Sequence, residues 1–295
     1  MRCTACGSTG ASSSSWCGTP AWRSRSTSTA ARPTASRCTS SPGEAEPLGT
    51  DRGEAATDEV ARLRARLRKH RRRENPELDY LFVVTYGRSG STLVSGLLNA
   101  IPGYLIRGEN RDALHHLFAF HATMVTESRR GLGPERKERV RQPTHPFFGI
   151  GDFPAQRSLA GIRRLVVDTV LRPEEGTRVA GFKEIRWYHP DLEEYVAWLR
   201  EVFPGARFLV NTREHADVLR SKWWAEGDPD EQASNLSGIE ERLLKLAVEL
   251  GDAAYRVHYD EYVADPTVLR GMYDWLGEPW DEASVRATMA VRHSV

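Results

Sequence analysis

Residues 80–100 read YLFVVTYGRSGSTLVSGLLNA. The apolar run predicts a buried strand over Leu81–Thr85, and the two glycines that follow predict a tight turn. A helix is expected over Ser91–Ala100, with Leu93, Leu97 and Leu98 on one side and Pro102-Gly103 ending it. Such a junction gathers anion-binding groups. Gly87 and Gly90 let the backbone curl so that successive N–H groups point into one space, and the first unpaired N–H groups of the helix point there too. Arg88 adds a guanidinium fork, and Ser89, Ser91 and Thr92 add hydroxyls. Together they form a cradle for a tetrahedral oxyanion.

The triphosphate-binding loop GxxxxGK[ST] does not fit. Only two residues separate Gly87 from Gly90, and no lysine follows. The shorter loop suits a terminal phosphate better than the β- and γ-phosphates of a triphosphate. The dinucleotide fingerprint GxGxxG does not match either.

Outward from this stretch the chain alternates strands and helices. Strands are expected in RVAGF, ARFLVNT and AYRVHY, and helices in NRDALHHLFAFHATMV, LAGIRRLVVDTVL, DLEEYVAWLREVF, EHADVLRSKWW, SGIEERLLKLAVEL and PTVLRGMYDWL. In DLEEYVAWLREVF, Leu192, Val196, Leu199 and Phe203 share one face. Crossovers of this length predict an α/β fold with a parallel sheet between two layers of helices. Ligands then sit beyond the carboxyl ends of the strands. There ARFLVNT delivers Arg213, and Ser221 follows eight residues later, two turns along a helix. An arginine and a hydroxyl so placed can grip a second phosphate.

The two pieces together resemble the sulfotransferases that use 3′-phosphoadenosine 5′-phosphosulfate. In that family a basic residue, Ser, Gly and then Ser or Thr twice close the first strand, as in GRSGSTL here. An arginine followed eight positions later by a serine holds the 3′-phosphate, matched by Arg213 and Ser221. A YExL-like element follows the next strand, and HYDEYVADP, carrying Tyr259, is similar to it. The resemblance spans residues 80 to about 280. It implies a P-loop-like three-layer fold, the phosphosulfate nucleotide as co-substrate, and no metal. Gly87, Arg88, Ser89, Gly90, Ser91, Thr92, Arg213, Ser221 and Tyr259 would bind the nucleotide, with Arg88 facing the leaving 5′-phosphate.

Transfer also needs a base for the acceptor hydroxyl. In the carbohydrate-type members a glutamate after the first helix serves, which implies Glu109. The small-molecule type uses a histidine, and His115, His116 and His121 lie nearby, so His115 is the alternative. GFKEIRWYHPD would bring Lys183, Glu184 and Arg186 to the same sheet edge, with Lys183 toward the sulfonate or acceptor or, in the plainer reading, paired with Glu184 or a neighbour. Trp223 and Trp224 either stack on the adenine or pack into the core. The acceptor is expected to be a hydroxyl of a glycan, glycolipid or metabolite. A kinase of the P-loop type and a non-catalytic nucleotide-binding protein remain the alternatives.

Composition bounds the rest. The 295 residues carry 41 Lys plus Arg against 40 Asp plus Glu, which gives no bulk attraction to nucleic acid. No apolar run approaches the ~20 residues that span a bilayer, so a cytoplasmic protein not integral to a membrane is expected, with a homodimer left open. All four cysteines, Cys3, Cys6, Cys17 and Cys38, lie near the start, so the body is not held by disulfides. Residues 1–53, rich in Ser, Thr, Ala, Arg, Gly and Pro, are expected to be a disordered low-complexity tail. Residues 54–77 read as a basic helix or linker through Val60, Leu63 and Leu67. The sulfotransferase domain is expected over 78–295, with a loose, basic acceptor-binding insertion over about 128–176 carrying Arg129, Arg130, Arg136, Arg139 and Arg141.

Overall fold

A computed structural model describes residues 78–130 and 133–291. The expected tail and basic helix, with all four cysteines, lie outside the described residues.

Five strands form one sheet: β1 (Asp79–Val84), β2 (Tyr104–Arg107), β3 (Val179–Glu184), β4 (Arg207–Thr212) and β5 (Ala254–His258), in the order β2-β3-β1-β4-β5. Every pairing is parallel, and β1 lies between β3 and β4. The order reverses direction beside β1, so the segment after β1 opens at the switch point where α/β sheets hold ligands.

Alternate residues of the strands feed two cores. Phe82, Val84, Phe182, Phe208 and Val210 point to one face, while Leu81, Val83, Val179 and Leu209 point to the other. A central parallel strand buried on both sides therefore reads as a continuous apolar run, as Tyr80–Val84 does. The first face is covered by α2 (Ala113–Arg129), α4 (Ala155–Val166), α5 (Leu192–Val202) and α7 (Pro229–Leu250). All four of Leu192, Val196, Leu199 and Phe203 are buried there. The second face is covered by α1 (Ser91–Asn99), α8 (Tyr259–Ala264), α9 (Arg270–Leu276) and α10 (Glu282–Ala290). The expected three-layer, P-loop-like α/β fold is the one observed.

Two local expectations are corrected. EHADVLRSKWW is not one helix: α6 (His215–Leu219) stops, Ser221 is extended at φ −112 and ψ 124, and a 3-10 turn covers Lys222–Glu226. Beyond the break Trp224 is buried, and its Nε1 donates to Gly87 O at 3.1 Å. Within 128–176, the stretch read as loose carries a short helix, α3 (Pro134–Arg139). The helix expected in LAGIRRLVVDTVL is α4, and with the π-turn Val167–Leu171 it buries Leu159, Ile162, Val166 and Leu171 in the first core. Each such side chain contributes about 1.5–3 kcal/mol of apolar burial.

Candidate active site

The turn after β1 is held from beneath. Thr85 Oγ1 donates toward Asn211 O at 2.7 Å and lies 2.6 Å from Ser89 Oγ, and Asn211 Nδ2 donates to Ser89 O at 2.8 Å. Tyr262 OH donates to Asn211 Oδ1 at 3.2 Å. All four residues are fully buried, so the loop is tied to the end of β4 by groups with no access to water. Ser89 is thereby corrected as a ligand hydroxyl. Its side chain faces the sheet, and what it can still offer a ligand is its backbone N–H.

Above this base, Arg88 and Gly90 adopt left-handed φ values of 70° and 80°, which turns the loop's amides toward one side. Gly90 has a second reason to lack a side chain. A Cβ there would lie 2.0 Å from Cδ2 of Tyr259, whose ring closes over the loop. The Arg213 guanidinium sits on that ring, 4.5 Å from its centroid.

The two phosphate grips expected from sequence meet. Arg88 Nε donates to Ser221 Oγ at 2.7 Å, and Arg213 Nη1 donates to Arg88 O at 3.2 Å. Arg88 thus reaches toward the Arg213–Ser221 side of the loop. Arg213 is steered by Asp217 Oδ2 at 3.4 Å, and its Nε is buried with no hydrogen-bond partner. An orphaned guanidinium donor beside a nest of amides is a place an anion would fill. Behind it Tyr86 OH donates to Glu240 Oε2 at 2.5 Å and accepts from Arg213 N at 2.9 Å. Burial and the Glu240 hydrogen bond hold the Tyr86 hydroxyl far above its ordinary pKa, so it stays protonated and keeps this anchor.

Arg88, Gly90, Arg213 and Tyr259 line a cavity of about 510 Å³ with Gly87, Ser91, Thr92, Leu93, Glu109, Lys183, Ile185, Trp223, Met289 and Val291. The carboxyl ends of β3 and β2 supply its far wall. Lys183 Nζ donates to Glu109 Oε1 at 2.5 Å, with the lysine side chain 9% exposed and the glutamate 40%. Lys183 therefore pairs with Glu109 and not with Glu184. Glu184 is buried and accepts from the backbone N–H groups of Asn110, Asp112 and Ile185, which fixes the loop that presents Glu109.

A second cavity, about 760 Å³, shares Gly87, Glu109, Ile185 and Trp223 with the first. Tyr86, Arg186, Tyr188, Trp224, Gln232, Asn235 and Ile239 complete it. Glu109 stands at the junction. Trp223 is half exposed and lies against Gly87, where a Cβ would come 2.5 Å from its ring, whereas Trp224 is buried beneath the loop. No described residue of 128–176 lines either of these two cavities.

His115 does not join this site. It faces Asp191, 2.9 Å from Nε2 to Oδ1, and its ring stacks on His189 at 3.7 Å. His121 is buried and accepts from Trp198 Nε1 through Nδ1, a packing role. Asp112, His115 and His189 bring ligand atoms within 4.8 Å of one another. The start of α2 and the distant loop that holds His189 build that group, so no local spacing announces it.

Residues 80–282 match the sulfotransferase family. The chain belongs to that family. Solved structures similar to this sulfotransferase include the sulfotransferase domain of the Synechococcus PCC 7002 olefin synthase, at 20% identity and TM-score 0.44 over 74% of this chain and 79% of that one. The sulfotransferase domain from the curacin biosynthetic pathway has 15% identity and TM-score 0.47 over 72% and 78%. Sulfotransferase STF9 from Mycobacterium avium has 17% identity and TM-score 0.37 over 77% and 70%. No curated protein sequence matches the chain. Among the described residues no helix is long and apolar enough to cross a membrane.

Proposed function

We propose that this sulfotransferase uses 3′-phosphoadenosine 5′-phosphosulfate, bound in the smaller cavity, and transfers its sulfonyl group to a hydroxyl of an acceptor held in the larger one. The observation that carries this reading is the position of Glu109. It lines both cavities and pairs with Lys183, so a carboxylate and a cation meet where donor and acceptor would meet.

The loop amides of residues 87–92 and the Thr92 hydroxyl hold the 5′-phosphosulfate, while Arg213 and Ser221 take the 3′-phosphate, with Arg88 bridging the two. Glu109 accepts the acceptor's proton as its oxygen attacks sulfur. The new O–S bond forms as the S–O bond to the 5′-phosphate breaks, and the electron pair leaves on the phosphate. Lys183, loosened from Glu109 when that carboxyl is protonated, faces the charge on the sulfonyl oxygens. Donors already fixed where charge develops need little reorganisation, which is the main source of such stabilisation.

The wall of Trp223 and Tyr188 with the amides of Gln232 and Asn235 supplies flat apolar faces and hydrogen-bonding groups side by side. That mixture fits a sugar or another ring that carries hydroxyls. The reading is tested by a screen of hydroxyl acceptors with sulfur-labelled donor, repeated with Glu109→Gln. Loss of a positioned base lowers turnover by about 10²–10⁴-fold with adenosine 3′,5′-bisphosphate affinity kept. Full activity of Glu109→Gln would overturn the assignment.

A further inference from the structure

We propose that Asp112, His115 and His189 form a transition-metal site, with zinc as its ion, that clamps together the two loops presenting Glu109 and Lys183. The metal site rests on geometry alone. Its value to catalysis rests on the function proposed above.

Asp112 occupies the N-cap position of α2 in a left-handed conformation, φ 68°, yet its carboxylate makes no capping hydrogen bond. An aspartate at an N-cap ordinarily accepts from the first turn of its helix. Here Oδ2 turns instead to His189 Nε2, 2.7 Å away. No hydrogen bond joins those two atoms: the buried Nε2 of His189 is without a hydrogen-bond partner, although an oxygen lies close by. A close approach of a nitrogen and a carboxylate oxygen without a hydrogen bond is relieved when both turn to one cation.

The third ligand is His115, one turn along α2 and so on the same side of the helix as Asp112. Its ring lies parallel to His189, 3.7 Å between centroids with 8° between planes. All three side chains are mostly buried, at 13% to 17% exposure. The ligand atoms lie within 4.8 Å of one another. A zinc tetrahedron with bonds of about 2.0–2.1 Å has edges of about 3.4 Å, so binding requires side-chain rotation that opens the 2.7 Å Asp112–His189 contact and turns the two parallel rings toward one ion. Two imidazoles and one carboxylate select borderline metals over magnesium or calcium. Asp191, 2.9 Å from His115 Nε2, supplies the outer carboxylate that typically orients a ligating imidazole.

The position gives the ion a purpose. Asp112 ends the β2–α2 loop that carries Glu109, and His189 lies in the β3–α5 loop that begins just past Lys183. Glu184 already links these loops through the amides of Asn110 and Asp112. A metal would add the second cross-link and hold the Glu109–Lys183 pair at a fixed spacing.

The test uses the full chain with Cys3→Ser, Cys6→Ser, Cys17→Ser and Cys38→Ser, so that thiolates cannot bind the probe. After dialysis against a chelator, zinc is titrated in by calorimetry. One zinc per chain is expected, with affinity at least 100-fold weaker in His189→Ala and in Asp112→Asn. Zinc should also slow amide exchange in 108–112 and 185–191. Adenosine 3′,5′-bisphosphate affinity serves as the folding control, because none of these residues lines the nucleotide cavity. No zinc binding to a folded chain, or unchanged zinc affinity in both variants, would overturn the site. Zinc binding without transfer activity would leave the site standing and remove only the catalytic reading.

Discussion

On the nucleotide side of the cavity, Thr85, Ser89, Asn211 and Tyr262 are fully buried and exchange hydrogen bonds with one another, so the loop above them has a single shape. On the acceptor side, Tyr188 and Trp223 are about half exposed, at 51% and 49%, and rest on few polar contacts. The first wall is rigid because its shape must exist before the ligand arrives, since amides and guanidinium groups stabilise charge best when already aimed. The second wall consists of flat, adaptable surfaces on segments outside the sheet, where a change of residue costs the fold little. Under the proposed function, donor recognition is built into the architecture of this protein, and acceptor recognition is laid over it.

The contrast can be broken first at Gly90. In Gly90→Val the new side chain meets a left-handed φ and the Tyr259 ring together, and moving that ring removes the platform under Arg213. Bisphosphate binding should fall at least about 100-fold, equivalent to about 2.8 kcal/mol, as measured by calorimetry. Next comes Arg213→Ala, which removes the orphaned donor without disturbing the loop's base. A weakening of about 10–100-fold is expected, the range of one charge-assisted bond at about 1.5–3 kcal/mol, with thermal stability nearly unchanged. The smallest effect belongs to the acceptor wall. Tyr188→Ala should raise the acceptor KM by about 3–10-fold, the worth of one stacking face at about 0.5–1.5 kcal/mol, and leave donor affinity unchanged. A donor-side effect of Tyr188→Ala would erase the distinction between the walls.

How far the sequence foretold these walls follows the same division. Strands, layers and the anion cradle were legible because each rests on local rules: a double-faced apolar strand, a turn with Gly87 and Gly90, and a helix start. Arg213 and Tyr259 were legible because each directly follows a strand and so must emerge at the sheet edge. Ser221 was correctly placed near the loop but on the wrong element, since α6 stops before it and Trp224, just beyond, bonds to the distant Gly87. Lys183's partner was left open for a related reason. Neighbours on a strand point to opposite faces, so Glu184 turns away while Glu109 arrives from the adjacent strand β2. The second cavity and the Asp112–His115–His189 group left no sequence signal, because both are assembled across segments far apart in the chain. Glu240, which holds Tyr86 from the middle of α7, was hidden in the same way.

The central claim is that the cradle recognises a nucleotide with phosphates at both the 3′ and 5′ positions. It is tested most directly by titrating the full chain with adenosine 3′,5′-bisphosphate without metal and, separately, with ATP and magnesium. Tighter binding of the bisphosphate, by at least about tenfold or about 1.4 kcal/mol, and its loss in Arg213→Ala are the predicted results. Tighter binding of ATP with magnesium would contradict the account.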